Sequence, residues 1–205
     1  MAGLVPAIHV LLTGQIKTWM PGIKPGMTVP SMTALNIRPT LASDIPAITR
    51  IYAHAVKHGT ATFELEPPDE AEMLRRFDKL RSGSFPYVVA EIDGAIAGYA
   101  YAGLFRERPA YRFTVEDSIY IAPEMHRRGI GRALLMRLIA DSEAAGFRQM
   151  MAVIGDSAQA ASIAVHRSCG FKDAGVFEAV GFKFGRWLDT VQMQRALGEG
   201  SRTAP

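Results

Sequence analysis

The chain has very little cysteine, and this scarcity excludes two kinds of protein. Cys169 is the only cysteine in 205 residues, so the chain cannot form an internal disulfide and is not a disulfide-stabilised secreted domain. Cysteines and histidines also do not occur together at the spacings that bind a structural metal. We therefore predict a protein without a metal site, in a reducing, cytoplasmic setting.

Long apolar runs and long basic runs are missing as well. The longest apolar run near the start, at positions 7–12, is interrupted by His9 and is too short to span a bilayer. No basic residue precedes it, as one would in a secretory signal. The 23 lysines and arginines exceed the 20 acidic residues only slightly, for a formal charge of +3. Such an excess suits an anionic small ligand and indicates neither a nucleic-acid nor a membrane partner.

Composition divides the chain into three parts. Residues 1–33 contain scattered prolines and glycines, and we interpret them as a poorly ordered N-terminal extension that adds nothing to the fold. Residues 34–198 have regular apolar periodicity and enough length to bury a sizeable core, which predicts one folded domain. We interpret residues 199–205 as a flexible tail.

Periodicity predicts helices and strands within that domain. Apolar residues recur at steps of three and four in the helical segments, and β-branched or aromatic residues cluster in the strands. The predicted helices are 45–55, 69–80, the segment that ends before Gly146, and 158–168; the predicted strands are 35–39, 87–92, 95–105, 113–122, 150–154 and a final pair joined by a turn at 181–187. This order predicts an α/β (α+β) fold with a mixed, mostly antiparallel central sheet flanked by helices.

A basic glycine turn precedes the third of these helices. It reads His126-Arg127-Arg128-Gly129-Ile130-Gly131-Arg132. The first N–H groups of a helix have no intrahelical partner and carry partial positive charge, so they bind anions. Glycines let the backbone approach a ligand closely, and the arginines add full charges. The turn is therefore suited to binding a pyrophosphate. The alternative is that it only bends the chain and that its arginines are ordinary solvated charges.

The turn resembles the pyrophosphate loop of the GNAT acetyltransferases, Arg/Gln-x-x-Gly-x-Gly/Ala, with His126 where glutamine or arginine is usual. Further segments within residues 35–197 resemble the phosphinothricin and methionine sulfoximine N-acetyltransferase branch of that family. These segments are Thr62-Phe63, Arg108 to Tyr111, Thr114 to Ile121, Ala152 to Asp156, Ser162 to His166 and Val180 to Asp189. The resemblance implies a GNAT fold, acetyl-CoA as acetyl donor, and an N-acetyltransferase acting on a small amino-acid analogue.

The same resemblance implies the residues that hold the donor. They are Ile119, Tyr120, Ile121, His126, Arg127, Arg128, Gly129, Ile130, Gly131, Arg132 and Gln159. The backbone N–H groups of 119–121 would stabilise the negative charge that develops on the acetyl oxygen. Gln159 stands where the branch usually has an asparagine.

Catalysis requires a base, because an α-amino group with a pKa of about 7.7 to 8.0 is mostly protonated at neutral pH. Glu116 matches the glutamate usually assigned this role in the resembled branch; without the resemblance it would be a surface carboxylate. Tyr111 and His166 are further catalytic candidates from the same match. A histidine on a short helix is also commonly a hydrogen-bonded structural residue.

The predicted acceptor site uses residues suited to an amino-acid analogue. Arg106, Arg108 and Tyr111 would bind its carboxylate and polar head, and Phe63 would pack on its aliphatic part. The alternative for the two arginines is that they are solvated loop charges.

Other functions and partners stay open at this point. A GNAT enzyme could acetylate another amine, such as a protein N-terminus, a polyamine or an aminoglycoside, and a protein of this fold could also bind acyl-CoA without catalysis. We predict that Phe182, Phe184 and Trp187 pack in the core, or else form a hydrophobic wall or subunit contact. The resemblance implies a homodimer.

Overall fold

The computed structural model describes residues 34–205. The interpretation of 1–33 as an extension concerns residues outside this range and stays a prediction. Within the range, none of the helices combines the length and the apolar character needed to cross a membrane. In the same part of the chain, no group of three His, Cys, Asp or Glu side chains is arranged to hold a metal ion.

Seven strands and four α-helices make up residues 34–205. In chain order they are β1 (Asn36–Pro39), α1 (Ile45–His58), α2 (Glu70–Ser82), β2 (Tyr87–Ile92), β3 (Ala95–Leu104), β4 (Thr114–Ile121), α3 (Ile130–Ala144), β5 (Gln149–Gly155), α4 (Ala160–Ser168), β6 (Lys172–Lys183) and β7 (Arg186–Ala196). Each corresponds to an element predicted from the sequence, with boundaries that differ by a few residues.

The strands form one mixed sheet in the order β1-β2-β3-β4-β5-β7-β6. All neighbouring strands within the described residues are antiparallel except β4 and β5, which run parallel. Parallel neighbours need a crossover connection, and α3 provides it. The predicted fold class, a mostly antiparallel mixed sheet flanked by helices, is confirmed.

Helices cover both faces of the sheet and form two hydrophobic cores. On one face, α3 buries Leu134 and Leu138 against strand residues such as Val115. On the other face, α1 and α2 bury Ile48 and Phe77 against the sheet. Burying one such leucine side chain contributes about 2 kcal/mol. The two layers hold β4, the strand that carries most of the predicted site, from both sides.

The last hairpin differs from its prediction. The turn between β6 and β7 is only Phe184-Gly185, both with positive φ angles of 52° and 73°, because the two strands stay paired as far as Lys183 and Arg186. The expected core packing of the aromatic residues is wrong: Phe182, Phe184 and Trp187 are 57%, 55% and 64% exposed. The reason is topological, since β6 is an edge strand and β5 pairs with β7 only as far as Thr190, so that this end of the hairpin extends beyond β5.

The parallel pair β4 and β5 separates partway along its length. The two strands pair only over Thr114–Asp117 and Gln149–Ala152. Beyond that point β4 stays paired with β3 as far as Ile121, and β5 stays paired with β7 as far as Gly155. Because each strand keeps its other neighbour, a wedge-shaped gap opens inside the sheet.

Candidate active site

The gap between β4 and β5 contains a cavity of about 280 Å³. Its wall includes residues of both strands, of α1, of α4 and of the loop at 59–64. Five of the residues predicted from the sequence line it: Glu116, Ile119, Tyr120, Gln159 and His166. The fold therefore brings side chains from two distant parts of the chain into one cavity.

The backbone of β4 presents hydrogen-bond donors to this gap. The amide of Ala122 donates to the carbonyl of Ala97 on β3, with an N–O distance of 2.9 Å. Successive residues of an antiparallel strand point their amides alternately toward and away from the neighbour. The amides of Ile119 and Ile121 therefore point away from β3, toward the side from which β5 has separated. That orientation is what an oxyanion site on this strand requires.

Glu116 lies at the narrow end of the gap. On β4 it stands opposite Gly103 of β3, and its partly buried side chain lines the cavity. Burial raises the pKa of Glu116 above its usual value of 4.5, the neighbouring charge of Asp117 raises it further, and Arg106 acts in the opposite direction. A carboxylate with a raised pKa is better matched to taking a proton near neutral pH.

His166 forms a buried pair with Asp117. Its Nδ1 lies 2.8 Å from the carbonyl oxygen of Ser162, and its Nε2 lies 3.0 Å from Oδ2 of Asp117. A carbonyl can only accept, so Nδ1 carries a proton and Nε2 faces the carboxylate through a second shared proton. Burial by itself lowers the pKa of His166, but the hydrogen bond and charge of Asp117 outweigh it and raise the pKa above 6.5. The pair thus has the geometry of an ion pair.

Asp117 and Tyr52 are cavity residues that the sequence analysis missed. Strand alternation could have identified Asp117, because it shares the core-facing side of β4 with Ile119 and is 7% exposed. An acid in that position needs a buried partner. Tyr52 donates its hydroxyl to Oε1 of Glu64 at 3.0 Å and lies equally close to Oγ1 of Thr62. No sequence pattern connects α1 with this cavity.

The glycine turn follows β4 directly, through a short 3-10 turn. Arg127 and Gly129 both have positive φ angles, of 64° and 76°, and α3 begins immediately after Gly129. A Cβ added to Gly129 or Gly131 would meet no atom within 4 Å. The first amides of α3 therefore adjoin open space at the positive end of the helix. This arrangement is suited to an anion, and the diphosphate contact stays a prediction.

The charged side chains of the turn are arranged around that open backbone. Arg127, Arg128 and Arg132 are exposed. His126 is also exposed, and its Nε2 donates to the carbonyl of Ile121 at 3.3 Å. The histidine therefore ties the turn to the end of β4, while the exposed arginines are free to provide charge to an anion.

Three of the four residues predicted to bind the acceptor lie on the segment between β3 and β4, outside the cavity wall. Arg106, Arg108 and Tyr111 are all exposed. The guanidinium of Arg106 stacks 4.3 Å from the ring centroid of Phe105, and Tyr111 meets the same ring edge-on at 5.8 Å. The effect of Arg106 on the pKa of Glu116 shows that its charge acts on the cavity.

Phe63 lies beside the cavity and not in its wall. Its ring packs against the backbone of Gly155 and Gly181, where an added Cβ on either glycine would crowd the ring. Its neighbours Ala61 and Thr62 line the cavity instead. Phe63 therefore fixes the position of the loop that carries them.

Comparisons with known proteins agree with this geometry. The model of the acetyltransferase (GNAT) family matches residues 48–171. Phosphinothricin N-acetyltransferase of Alcaligenes faecalis is 54% identical over 172 residues, 84% of this chain and 87% of that protein. L-methionine sulfoximine/L-methionine sulfone acetyltransferase of Salmonella typhimurium is 39% identical over 165 residues, 80% of this chain and 96% of that protein.

A solved structure shows the same fold. The crystal structure of a GNAT superfamily phosphinothricin acetyltransferase from Sinorhizobium meliloti, in complex with AcCoA, superposes with a TM-score of 0.81. It is 53% identical, and the match covers 83% of this chain and 92% of that one. With the family match spanning more than half of the sequence, the chain belongs to the GNAT acetyltransferase family.

Proposed function

We propose that this protein transfers an acetyl group from acetyl-CoA to the amino group of a small amino-acid analogue of the phosphinothricin, methionine sulfoximine or methionine sulfone type. The relatives that act on these compounds support the acceptor class. The gap between β4 and β5 carries the proposal, since one strand contributes both a carboxylate and free amides to its cavity and then continues into the glycine turn.

Glu116 acts as the general base. The acceptor arrives as an ammonium ion, and its nitrogen gains a lone pair only when a proton leaves. Glu116 takes that proton directly or through one water. Its raised pKa narrows the difference between base and ammonium group and so favours the transfer. The freed amine then attacks the acetyl carbon.

The chain holds the donor in two places. Acetyl-CoA supplies an electrophilic thioester carbon. The amides at the start of α3, with Arg127, Arg128 and Arg132, bind its diphosphate. The amides of Ile119 and Ile121 stabilise the oxyanion that forms on attack. The N–C bond forms first and gives this tetrahedral species; as it collapses, the C–S bond breaks, and the CoA thiolate takes up the proton that the nitrogen loses in becoming an amide. Transfer is direct.

A covalent intermediate on the enzyme is not part of this mechanism. Cys169 is 2% exposed and packs within the core that lies under α3. A thiol in that position behaves as a small apolar side chain and does not reach a substrate.

The acceptor is bound by charge and shape. Arg106 and Arg108 are available for its carboxylate, and Tyr111 for its polar head. Their exposure in the structure leaves these groups free to bind. Phe63 and its loop limit the width of the site on the other side.

The exposed hairpin β6–β7 is proposed as a homodimer contact. Phe177, Phe182, Phe184 and Trp187 are each more than half exposed on one sheet edge. Large apolar patches on soluble proteins commonly mark interfaces. Sedimentation equilibrium is expected to give twice the monomer mass, and Trp187→Arg is expected to shift it toward the monomer.

A panel of amines tests the proposed function. CoA release is measured with phosphinothricin, methionine sulfoximine and methionine sulfone, and in parallel with spermidine, an aminoglycoside and a peptide that begins with alanine. We expect transfer to the first three compounds. A preference for one of the others would assign a different acceptor class, and acetyl-CoA binding without CoA release from any amine would make the protein a binding module.

A further inference from the structure

Lys183 is a buried lysine whose partners are backbone carbonyls. It ends strand β6 and is 3% exposed. Its Nζ donates to the carbonyl of Gly59 at 2.9 Å and to that of Thr62 at 2.8 Å. Burying an ammonium group is costly unless its protons are hydrogen-bonded. The desolvation lowers the pKa of Lys183, with the charge of Glu64 acting in the opposite direction. A buried charge of this cost is expected to have a structural or functional role.

The two acceptors lie on the loop at 59–64, which is neither helix nor strand. One ammonium group binds the carbonyls of both Gly59 and Thr62 and so fixes the curvature of residues 59–62. The loop has further anchors: Nε2 of Gln159 donates to Oγ1 of Thr60 at 2.9 Å, and the ring of Phe63 packs on Gly181. Lys183 is the anchor that holds the loop by its main chain.

This loop forms part of the active-site cavity. Ala61 and Thr62 line the cavity, and the carbonyl of Thr62 is one of the two acceptors. Lys183 is 3% exposed, and its ammonium group is directed at the two loop carbonyls and not at the cavity. The loop is therefore the direct structural link between Lys183 and the cavity.

We propose that Lys183 is a positioning residue for the acceptor, which acts by holding the main chain of residues 59–62 against the β6–β7 hairpin. The proposal rests on the proposed function for the identity of the acceptor. Without the ammonium group the loop samples several conformations, and only a fraction of molecules has the acceptor wall in place. Apparent affinity for the acceptor falls by that fraction, while chemistry in the correctly formed fraction is unchanged.

Lys183→Met tests this role, because methionine keeps much of the side-chain volume and removes the donors. We expect the KM for the acceptor to rise about tenfold, as for a loop ordered in about a tenth of the molecules. We expect kcat and the Kd for acetyl-CoA to stay within about threefold of wild type. Hydrogen exchange of a peptide covering 59–66 should become faster, and that readout needs no acceptor.

Lys172→Met is the matched control. Lys172 is at the opposite, exposed end of the same strand. The same substitution there should change neither KM nor hydrogen exchange at 59–66. If Lys183→Met does not fold, as judged by circular dichroism, Lys183→Gln takes its place under the same criteria, since glutamine removes the charge and has its amide nitrogen on a shorter side chain.

Two results would overturn the proposal. One is an acceptor KM and a hydrogen-exchange pattern identical to wild type; the other is a lowered kcat at unchanged KM, which would mean a direct part in the chemistry. A failure of the proposed function would be distinguished from a failure of this proposal by hydrogen exchange, which needs no acceptor. If the wild type acetylates none of the panel amines, faster exchange at 59–66 in the variant still supports the anchoring role of Lys183, and unchanged exchange contradicts it.

Discussion

The cavity is lined by β4 and the glycine turn follows the same strand, but the two are built in different ways. The turn consists of one continuous stretch, His126 to Arg132, and its proposed ligands are mainly backbone amides at the start of α3. The cavity collects side chains from α1, the 59–64 loop, β4 and α4. The first site depends on local conformation, and the second depends on how distant elements pack.

In the proposed reaction the two sites serve different substrates: the turn binds the acetyl donor, and the cavity region binds the acceptor amine. A diphosphate offers the same charge and shape whatever the acceptor, so a fixed backbone turn is sufficient to bind it. An acceptor must be distinguished from other amines, which requires side chains at several positions. Substitutions in the turn should therefore affect the donor, and substitutions around the cavity should affect the acceptor and the chemistry.

The largest expected effect is at Glu116. Glu116→Gln removes the proposed base but keeps the shape of the side chain, so kcat should fall about 100-fold or more. The Kd for acetyl-CoA, measured by calorimetry, should not change. Glu107→Gln is the control, since Glu107 is an exposed acid on the segment before β4. Wild-type turnover in Glu116→Gln would remove this residue from the mechanism.

Gly129→Val should produce the reverse pattern. Gly129 has a φ angle of 76°, and a valine there is strained by about 1–2 kcal/mol and fills the space in front of the amides. The Kd for acetyl-CoA should rise about tenfold or more as the turn shifts.

Gly146→Val is the matched control for that substitution. Gly146 follows α3, has a φ angle of 87° and likewise has open space around it. Both variants should lose about 1–2 kcal/mol of unfolding free energy, but only Gly129→Val should lose affinity for acetyl-CoA. Equal affinities in the two variants would show that the turn does not bind the donor.

A smaller effect is expected at Arg106, which lies on the segment before β4. Its positive charge favours the ionised form of Glu116 and lowers the pKa of that carboxyl. Arg106→Gln should therefore raise the pKa of Glu116, and the acid side of the pH–rate profile should move to higher pH. The substitution also removes an exposed charge interaction with the acceptor, which contributes at most about 1 kcal/mol. Its loss should raise the KM for the acceptor by up to about fivefold. Arg112→Gln, an exposed arginine nearby, should leave the profile in place.

The smallest effect concerns the pH dependence of stability at His166. Its pKa is raised in the folded protein, so the stabilisation is fully present below pH 6.5 and is lost as pH rises through the raised value. Asp117→Asn removes the charge responsible and should flatten this part of the curve. Urea denaturation across this pH range measures it. An unchanged slope would mean that His166 and Asp117 do not share a proton as an ion pair.

The local sequence was sufficient to predict those features whose residues lie close together in the chain. The glycine turn at 126–132 and the helix that follows it were identified from residues close together in the chain. The resemblance to a family then supplied Glu116 and His166, which periodicity could not distinguish from ordinary strand and helix residues. Neither source decided whether Phe182 and Trp187 pack in the core or form an exposed wall or contact, because exposure depends on which strand ends at the edge of the sheet.

The sequence by itself determined the elements, the fold class and the position of the glycine turn proposed to bind an anion, since hydrophobic periodicity and glycine conformation act over a few residues. Only the tertiary structure decided how the cavity is completed. The pairing of His166 with Asp117, the hydroxyl of Tyr52 and the contact of Lys183 with the 59–64 loop join residues that are far apart in the chain. Such contacts exist because β4 and β5 separate while each keeps its other neighbour, and no local pattern specifies that geometry.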